Sequence, residues 1–89
     1  MITREITIVN KLGLHARAAA KLVKLSSSFT SSIEIDKAGQ RVNCKSIMGV
    51  MMLAASCGTD VTLYIEGDDE QDADAAICKL INNRFDEDE

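Results

Sequence analysis

Proline and tryptophan are absent from this chain, and only three of its 89 residues are aromatic: Phe29, Tyr64 and Phe85. Without proline, no loop is stiffened by a locked φ. With so few aromatics, a core must be assembled from Ile, Val, Leu, Ala and Met, which a 46% hydrophobic content can supply. An RNA-reading sheet wants stacked aromatics on a basic surface, and this chain, at a net charge of −4, offers neither. No nucleic-acid partner is expected. No apolar run approaches the ~20 residues of a membrane span, so no membrane insertion is expected either. Met1-Ile2-Thr3-Arg4-Glu5, followed by a short alternating strand, does not read as a signal peptide. The expectation is a cytoplasmic protein.

Cysteine is present but unpatterned. Cys44, Cys57 and Cys78 are odd in number, far apart and form no CxxC pair. They read as reduced, partly buried thiols. One histidine and scattered cysteines lack the ligand spacing of a zinc site, so neither metal nor cofactor is expected.

Eighty-nine residues suit a single domain, 1–89. Its charge is unevenly spread. Residues 1–45 hold eight Lys or Arg against three acids, and residues 46–89 hold two against eleven, so the halves stand at +5 and −9. The lone histidine falls in the basic half, where a positive surface would attract phosphate or an acidic partner.

The hydrophobic periodicity gives the order β-α-β-β-α-β-α. Residues 2–9 read as a first strand with Ile2, Ile6 and Ile8 on one face and Arg4 interrupting near an edge. Residues 10–14 form a loop. Helix 16–28 carries a stripe of Ala19, Leu22, Val23 and Ser26. Ile33 and Ile35 alternate with Glu34 and Asp36. After a turn at Lys37-Ala38-Gly39-Gln40, Val42 and Cys44 alternate with Arg41 and Asn43, making a β-hairpin. A short helix, 47–55, follows its cap Ser46, with Val50, Leu53 and Ala54 as its core stripe. Val61, Leu63 and Ile65 make a last strand. Gly67-Asp68-Asp69-Glu70 turns into a third helix, with acids at its positive end and a stripe of Ala73, Ala76, Ile77, Leu80 and Ile81. Residues 86–89 read as a solvated, frayed acidic tail. This is an α+β string with helices on one face of a mainly antiparallel sheet. Spacing leaves the strand order open between a ferredoxin-like sheet and an open-faced sandwich.

The chemistry concentrates in Gly13-Leu14-His15-Ala16-Arg17. With Ile6, Ile8 and Val9 upstream as strand, His15 sits where a strand, through the loop 10–14, hands over to a helix. Helix starts offer unpaired N–H groups and partial positive charge, a ready anion site. The amides of Ala16 and Arg17 would hold phosphate, and the Arg17 guanidinium suits the same anion. A nucleophilic imidazole, free amides and a guanidinium together suggest a histidine that accepts a phosphoryl group. The bland alternative is a surface histidine that merely caps a helix. Around the second helix, Ile47, Met48, Met51 and Met52 lie outside the core stripe and read as an apolar docking patch. Ser46, plainly an N-cap, is also a candidate for phosphorylation, since added negative charge is tolerated at a helix start.

Gly13-Leu14-His15-Ala16-Arg17 and Lys45-Ser46-Ile47-Met48-Gly49 resemble the HPr family, the histidine-containing phosphocarriers of the bacterial phosphoenolpyruvate:sugar phosphotransferase system. The resemblance covers essentially the whole chain, including Asn10, Gly39, Gly58-Thr59 and Gly67-Asp68-Asp69-Glu70. It implies an open-faced β-sandwich of four antiparallel strands covered on one face by three helices. It implies that His15 is phosphorylated at Nδ1 by enzyme I, that Arg17 stabilises the phosphate and that EIIA domains receive the group. It places docking on Ala16, Ala20, Ile47, Met48 and Met51. It also implies Ser46 as the target of HPr kinase/phosphorylase, with a transcriptional regulator as a further partner, and a monomeric carrier rather than a turnover enzyme. The alternative within the family is a regulatory or nitrogen-branch carrier acting mainly by docking. Two departures stand out. Ala18 occupies a position where the family usually has proline, and Met52 one where a small polar residue is usual.

Overall fold

A computed structural model of the chain describes residues 1–87. Its elements run β1 (Ile2–Thr7), α1 (Ala16–Ser27), β2 (Ser32–Lys37), β3 (Gln40–Asn43), α2 (Ile47–Met52), β4 (Asp60–Glu66) and α3 (Glu70–Asn82), then a 3-10 turn at Arg84–Asp86. The four strands form one antiparallel sheet in the order β1-β4-β2-β3. That order resolves the choice the spacing left open: the fold is the open-faced sandwich.

Strand alternation explains the layering. Ile33 and Ile35 of β2 and Val61, Leu63 and Ile65 of β4 are buried beneath the helices. Their sequence neighbours point to the other face, as period-2 geometry requires. There Arg41 lies 3.7 Å over the Tyr64 ring and pairs with Glu34 at 2.9 Å. The hairpin turns at Ala38 and Gly39, both at positive φ (51° and 89°). This is the mirror-image turn that suits strand twist. Arg4 lies on edge strand β1 and reaches α3, donating to both carboxylate oxygens of Asp74 at 3.1 and 2.7 Å. Asp74, nearly buried, gains its partner there, and the guanidinium keeps its carboxyl below the usual range.

Four local expectations need correction. The first strand ends at Thr7 rather than residue 9; Ile8 stays buried and donates to Thr59 O. The second helix closes at Met52 instead of running to residue 55. Ala54 takes a left-handed φ of 51°, which ends a helix, and it is exposed while Ala55 is buried. In α1, Ala18 joins the buried stripe and Val23 is only half-buried; in α3, Ala76 and Leu80 are half-buried. The largest correction concerns the tail. Phe85 is fully buried and Glu87 is held against the rest of the protein, so residues 86 and 87 are not frayed. The remaining part of that tail, 88–89, lies outside the described residues.

The turn before α3 is tied to the end of the α1–β2 connection by one carboxylate. Asp69 accepts from the Thr30 and Ser31 amides, each at 2.9 Å, and from the Ser31 hydroxyl. These bonds, that of the Ser31 hydroxyl first, hold its pKa down to about 2. A folded-state value below the unfolded one adds stability above the ordinary aspartate pKa of about 4. That contribution is lost as pH falls through about 2. Asp69→Asn should therefore be less stable than the parent at neutral pH. It should also lack the parent's decline between those two values, as read by urea unfolding across pH.

Candidate functional site

The loop ahead of α1 is pinned before the helix begins. Asn10, buried, donates through Nδ2 to Gly13 O at 2.7 Å, and its own carbonyl accepts from Gly13 N at 3.1 Å. Gly13 has φ +65°, and a Cβ there would lie 2.7 Å from Ser56 Cα. Glycine is required by both counts. The close approach lets Leu14 N donate to Ala55 O at 2.8 Å, and Leu14 is buried. The segment leading into His15 is thus fastened to the segment leaving α2.

His15 is the N-cap of α1, with extended backbone (φ −71°, ψ 177°). Its ring nitrogen Nδ1 accepts from Arg17 N at 3.3 Å, and its carbonyl accepts from Ala19 N at 2.8 Å. The modest reading, a histidine that caps a helix, is therefore true of this ring, and it does not compete with the chemical one. The side chain is 27% exposed, neither packed inside nor fully projecting into water. Arg17 is exposed and lines the same open cleft, with Lys11 and Lys21 from the basic half. Asp86 and Glu87 line it too. The expected positive surface around His15 is thus partly offset, because folding returns the acidic end of the chain to it.

Glu87 is the residue that sequence reasoning missed. Its Oε2 lies 2.5 Å from His15 Nε2, and its Oε1 accepts from Asn10 Nδ2 at 3.0 Å. The Asn10 hydrogen bond, followed by those of His15 and the charge of Arg17, lowers its carboxyl pKa. The approach to this position is strained. Arg84, Phe85 and Asp86 all have positive φ (58°, 55° and 62°), a conformation that costs non-glycine residues about 1–2 kcal/mol each. Burial of Phe85 and a 2.7 Å bond from Lys21 Nζ to Phe85 O offset it.

Ser46 caps α2 as expected, its Oγ accepting from Gly49 N at 3.2 Å, and it is exposed. The apolar surface is real. Ile47 and Met51 are 39% and 42% exposed, and Met48 and Met52 are each 67% exposed. Ala16 and Ala20 are exposed on α1, which packs against α2. Leu12, 66% exposed and lining the His15 cleft, is a further exposed apolar side chain that the sequence reading did not single out. Of the cysteines, Cys44 is buried, Cys57 exposed and Cys78 intermediate, all unbridged. Burial pushes the Cys44 thiol up to about 12. Among the described residues, no group of three His, Cys, Asp or Glu side chains could hold a metal ion. No helix among them is long and apolar enough to cross a membrane.

A histidine-capped helix start beside a guanidinium, on an open-faced sandwich, is the architecture of a phosphoryl-group carrier. Comparison with known proteins agrees. Residues 2–83 match the family model described as the PTS HPr component phosphorylation site. The phosphocarrier protein HPr of Cupriavidus necator is 55% identical over 89 residues, covering all of both chains. That of Xylella fastidiosa is 53% identical over 88 residues, 99% of each chain. The crystal structure of HPr-C-His from Thermoanaerobacter tengcongensis superimposes with a TM-score of 0.96 at 47% identity, covering all of both chains. The chain belongs to the HPr family, phosphocarrier proteins of the phosphotransferase system, which carry a phosphoryl group and are not enzymes.

Because Gly13 sets the position of His15, Gly13→Ala is a sharp test of this geometry. The left-handed φ and the clash with Ser56 should together cost about 2 kcal/mol or more. A lowered urea midpoint, with the His15 ring resonances shifted in NMR spectra, is the expected result.

Proposed function

We propose that His15 is the phosphoacceptor of this carrier, taking its phosphoryl group from phosphorylated enzyme I and passing it to EIIA domains. The observation that carries the reading is the bond from Arg17 N to Nδ1. A nitrogen that accepts from an amide carries a lone pair, and it lies at the positive end of a helix. Attack through Nδ1 forms a P–N bond there. The Arg17 amide, released from the ring, then has a phosphoryl oxygen to donate to. The amide of Ala16 and the Arg17 guanidinium add further donors, so no metal is needed from this chain.

Ala16 and Ala20 on α1, with Ile47, Met48 and Met51 on α2, form the surface on which donor and acceptors dock. Methionine adapts to several partners in turn. Regulation at Ser46 fits the same surface. Phosphate on this exposed cap keeps a favourable helix start while adding about two negative charges beside the patch. HPr kinase/phosphorylase and a transcriptional regulator are the corresponding partners. The protein acts as a monomeric, single-domain unit in the cytoplasm, where its donor and acceptors meet it.

Incubation with phosphoenolpyruvate and enzyme I should place acid-labile phosphate on His15, and His15→Ala should abolish it. Arg17→Ala should slow transfer on the order of tenfold, the loss of one charge-assisted bond of about 1.5 kcal/mol, with an unchanged circular dichroism spectrum. Ser46→Asp should weaken transfer to an EIIA domain in a phosphorylation assay while the urea midpoint stays within about 0.5 kcal/mol of the parent.

A further inference from the structure

The two nitrogens of His15 meet opposite partners. Nδ1 faces a donor, the amide of Arg17, at 3.3 Å. Nε2 faces an acceptor, the Glu87 carboxylate, at 2.5 Å. Both contacts require the same tautomer: proton on Nε2, lone pair on Nδ1. Glu87 is itself oriented. Its second oxygen accepts from Asn10, the residue whose same amide nitrogen also holds Gly13 O. The chain behind it is anchored by buried Phe85 and by Lys21. Nucleophile, accepting carboxylate and orienting amide thus form one connected series, drawn from positions 15, 87 and 10.

We propose that Glu87 is a positioning residue for phosphoryl acceptance, fixing the His15 ring as the Nε2–H tautomer and compensating the charge that appears on it. The proposal rests on His15 being the acceptor. In the step, the Nδ1 lone pair forms a bond to phosphorus. The bond from phosphorus to the donor's leaving atom breaks, and its electron pair stays on the donor. The Nε2 proton is retained, so the ring becomes cationic, and the Glu87 carboxylate lies against that cation. When the phosphoryl group leaves for an acceptor, the ring returns to neutral and the pair relaxes. The other charged groups lining the cleft are Lys11, Arg17, Lys21 and Asp86. The carboxylate of Glu87 is the one in contact with the ring.

The test compares the full-length parent with Glu87→Gln and Glu87→Ala. At pH about 8.5, two units above the ordinary imidazole value, the parent should show a downfield Nε2 proton resonance in NMR spectra of labelled protein. Glu87→Ala should lose that signal to solvent exchange. Glu87→Gln, whose amide oxygen still accepts, should retain it at a less downfield position. Phosphoryl uptake from phosphoenolpyruvate and enzyme I should be slower on the order of tenfold in Glu87→Ala, the size of one hydrogen bond to a charged group. The glutamine variant should fall between. If Glu87→Ala does not fold, the glutamine variant, which keeps shape and acceptor, decides through the same two readouts. Uptake equal to or faster than the parent's in the variants, with the parent labelled on His15, overturns the positioning role alone. An unlabelled His15 in the parent overturns the acceptor assignment instead.

Discussion

One nitrogen of one ring carries two duties in this fold. Nδ1 of His15 stands where a serine or aspartate oxygen would normally cap a helix, and it takes the hydrogen bond of the Arg17 amide. A capping atom must present a lone pair to the first turn. A nucleophile must present a lone pair to its electrophile. The cap therefore holds the ring in the orientation and tautomer that the proposed attack requires, and at 3.3 Å the bond is long. In the proposed reaction, a P–N bond in its place would leave the amide beside a better acceptor, a phosphoryl oxygen. The helix start would then keep a cap, with phosphate in place of nitrogen.

That arrangement needs the ring held from its other side, and the chain's far end supplies the hold. The acidic half returns to the histidine loop here: Glu87 meets His15 and Asn10, and Lys21 meets the Phe85 carbonyl. Three consecutive left-handed residues carry the chain there. Strain of this kind persists where surrounding contacts over-determine the conformation. A buried phenylalanine, a lysine–carbonyl bond and two carboxylate bonds supply that determination. The electrostatic consequence is a cleft whose positive field is trimmed by carboxylates, in place of the unopposed basic surface that the charge count implies.

Much of the fold was legible because it is written locally. Ile33 and Ile35, and Val61, Leu63 and Ile65, alternate as half-buried strands must, and they are buried. Ser46 and Gly39 mark a cap and a turn by residue type alone. His15, between a loop glycine and an alanine-rich helix, was identifiable in the same way. What stayed hidden depends on partners remote in sequence. Glu87 and His15 are separated by 72 positions, and four acids in a row at 86–89 look like solvent-facing charge whatever they touch. The early end of α2 escaped for a different reason. Alanine is a good helix former, so nothing in its type announces the left-handed φ of Ala54. Arg4 announced an interruption of its strand, but Asp74 was not visible as the group it reaches.

The alanine at position 18 shows how rigidity can be moved from one kind of interaction to another. A proline in the first turn stiffens a helix start covalently and removes a donor that has no intrahelical partner anyway. This chain has no proline, and its entry into α1 is held by packing and hydrogen bonds. Asn10 bridges the loop to Gly13 and to Glu87, Leu14 is tied to Ala55, and Ala18 is itself fully buried. Alanine in that place also keeps its N–H in the first turn, among the amides that have no intrahelical partner. Stiffness of the approach therefore depends here on contacts with α2's exit and with the chain's C-terminal turn. Exposed Leu12 lines the cleft together with Asp86 and Glu87, and exposed Met52 is the last residue of α2 ahead of that exit, so each of these two holding segments has an uncovered apolar side chain next to it.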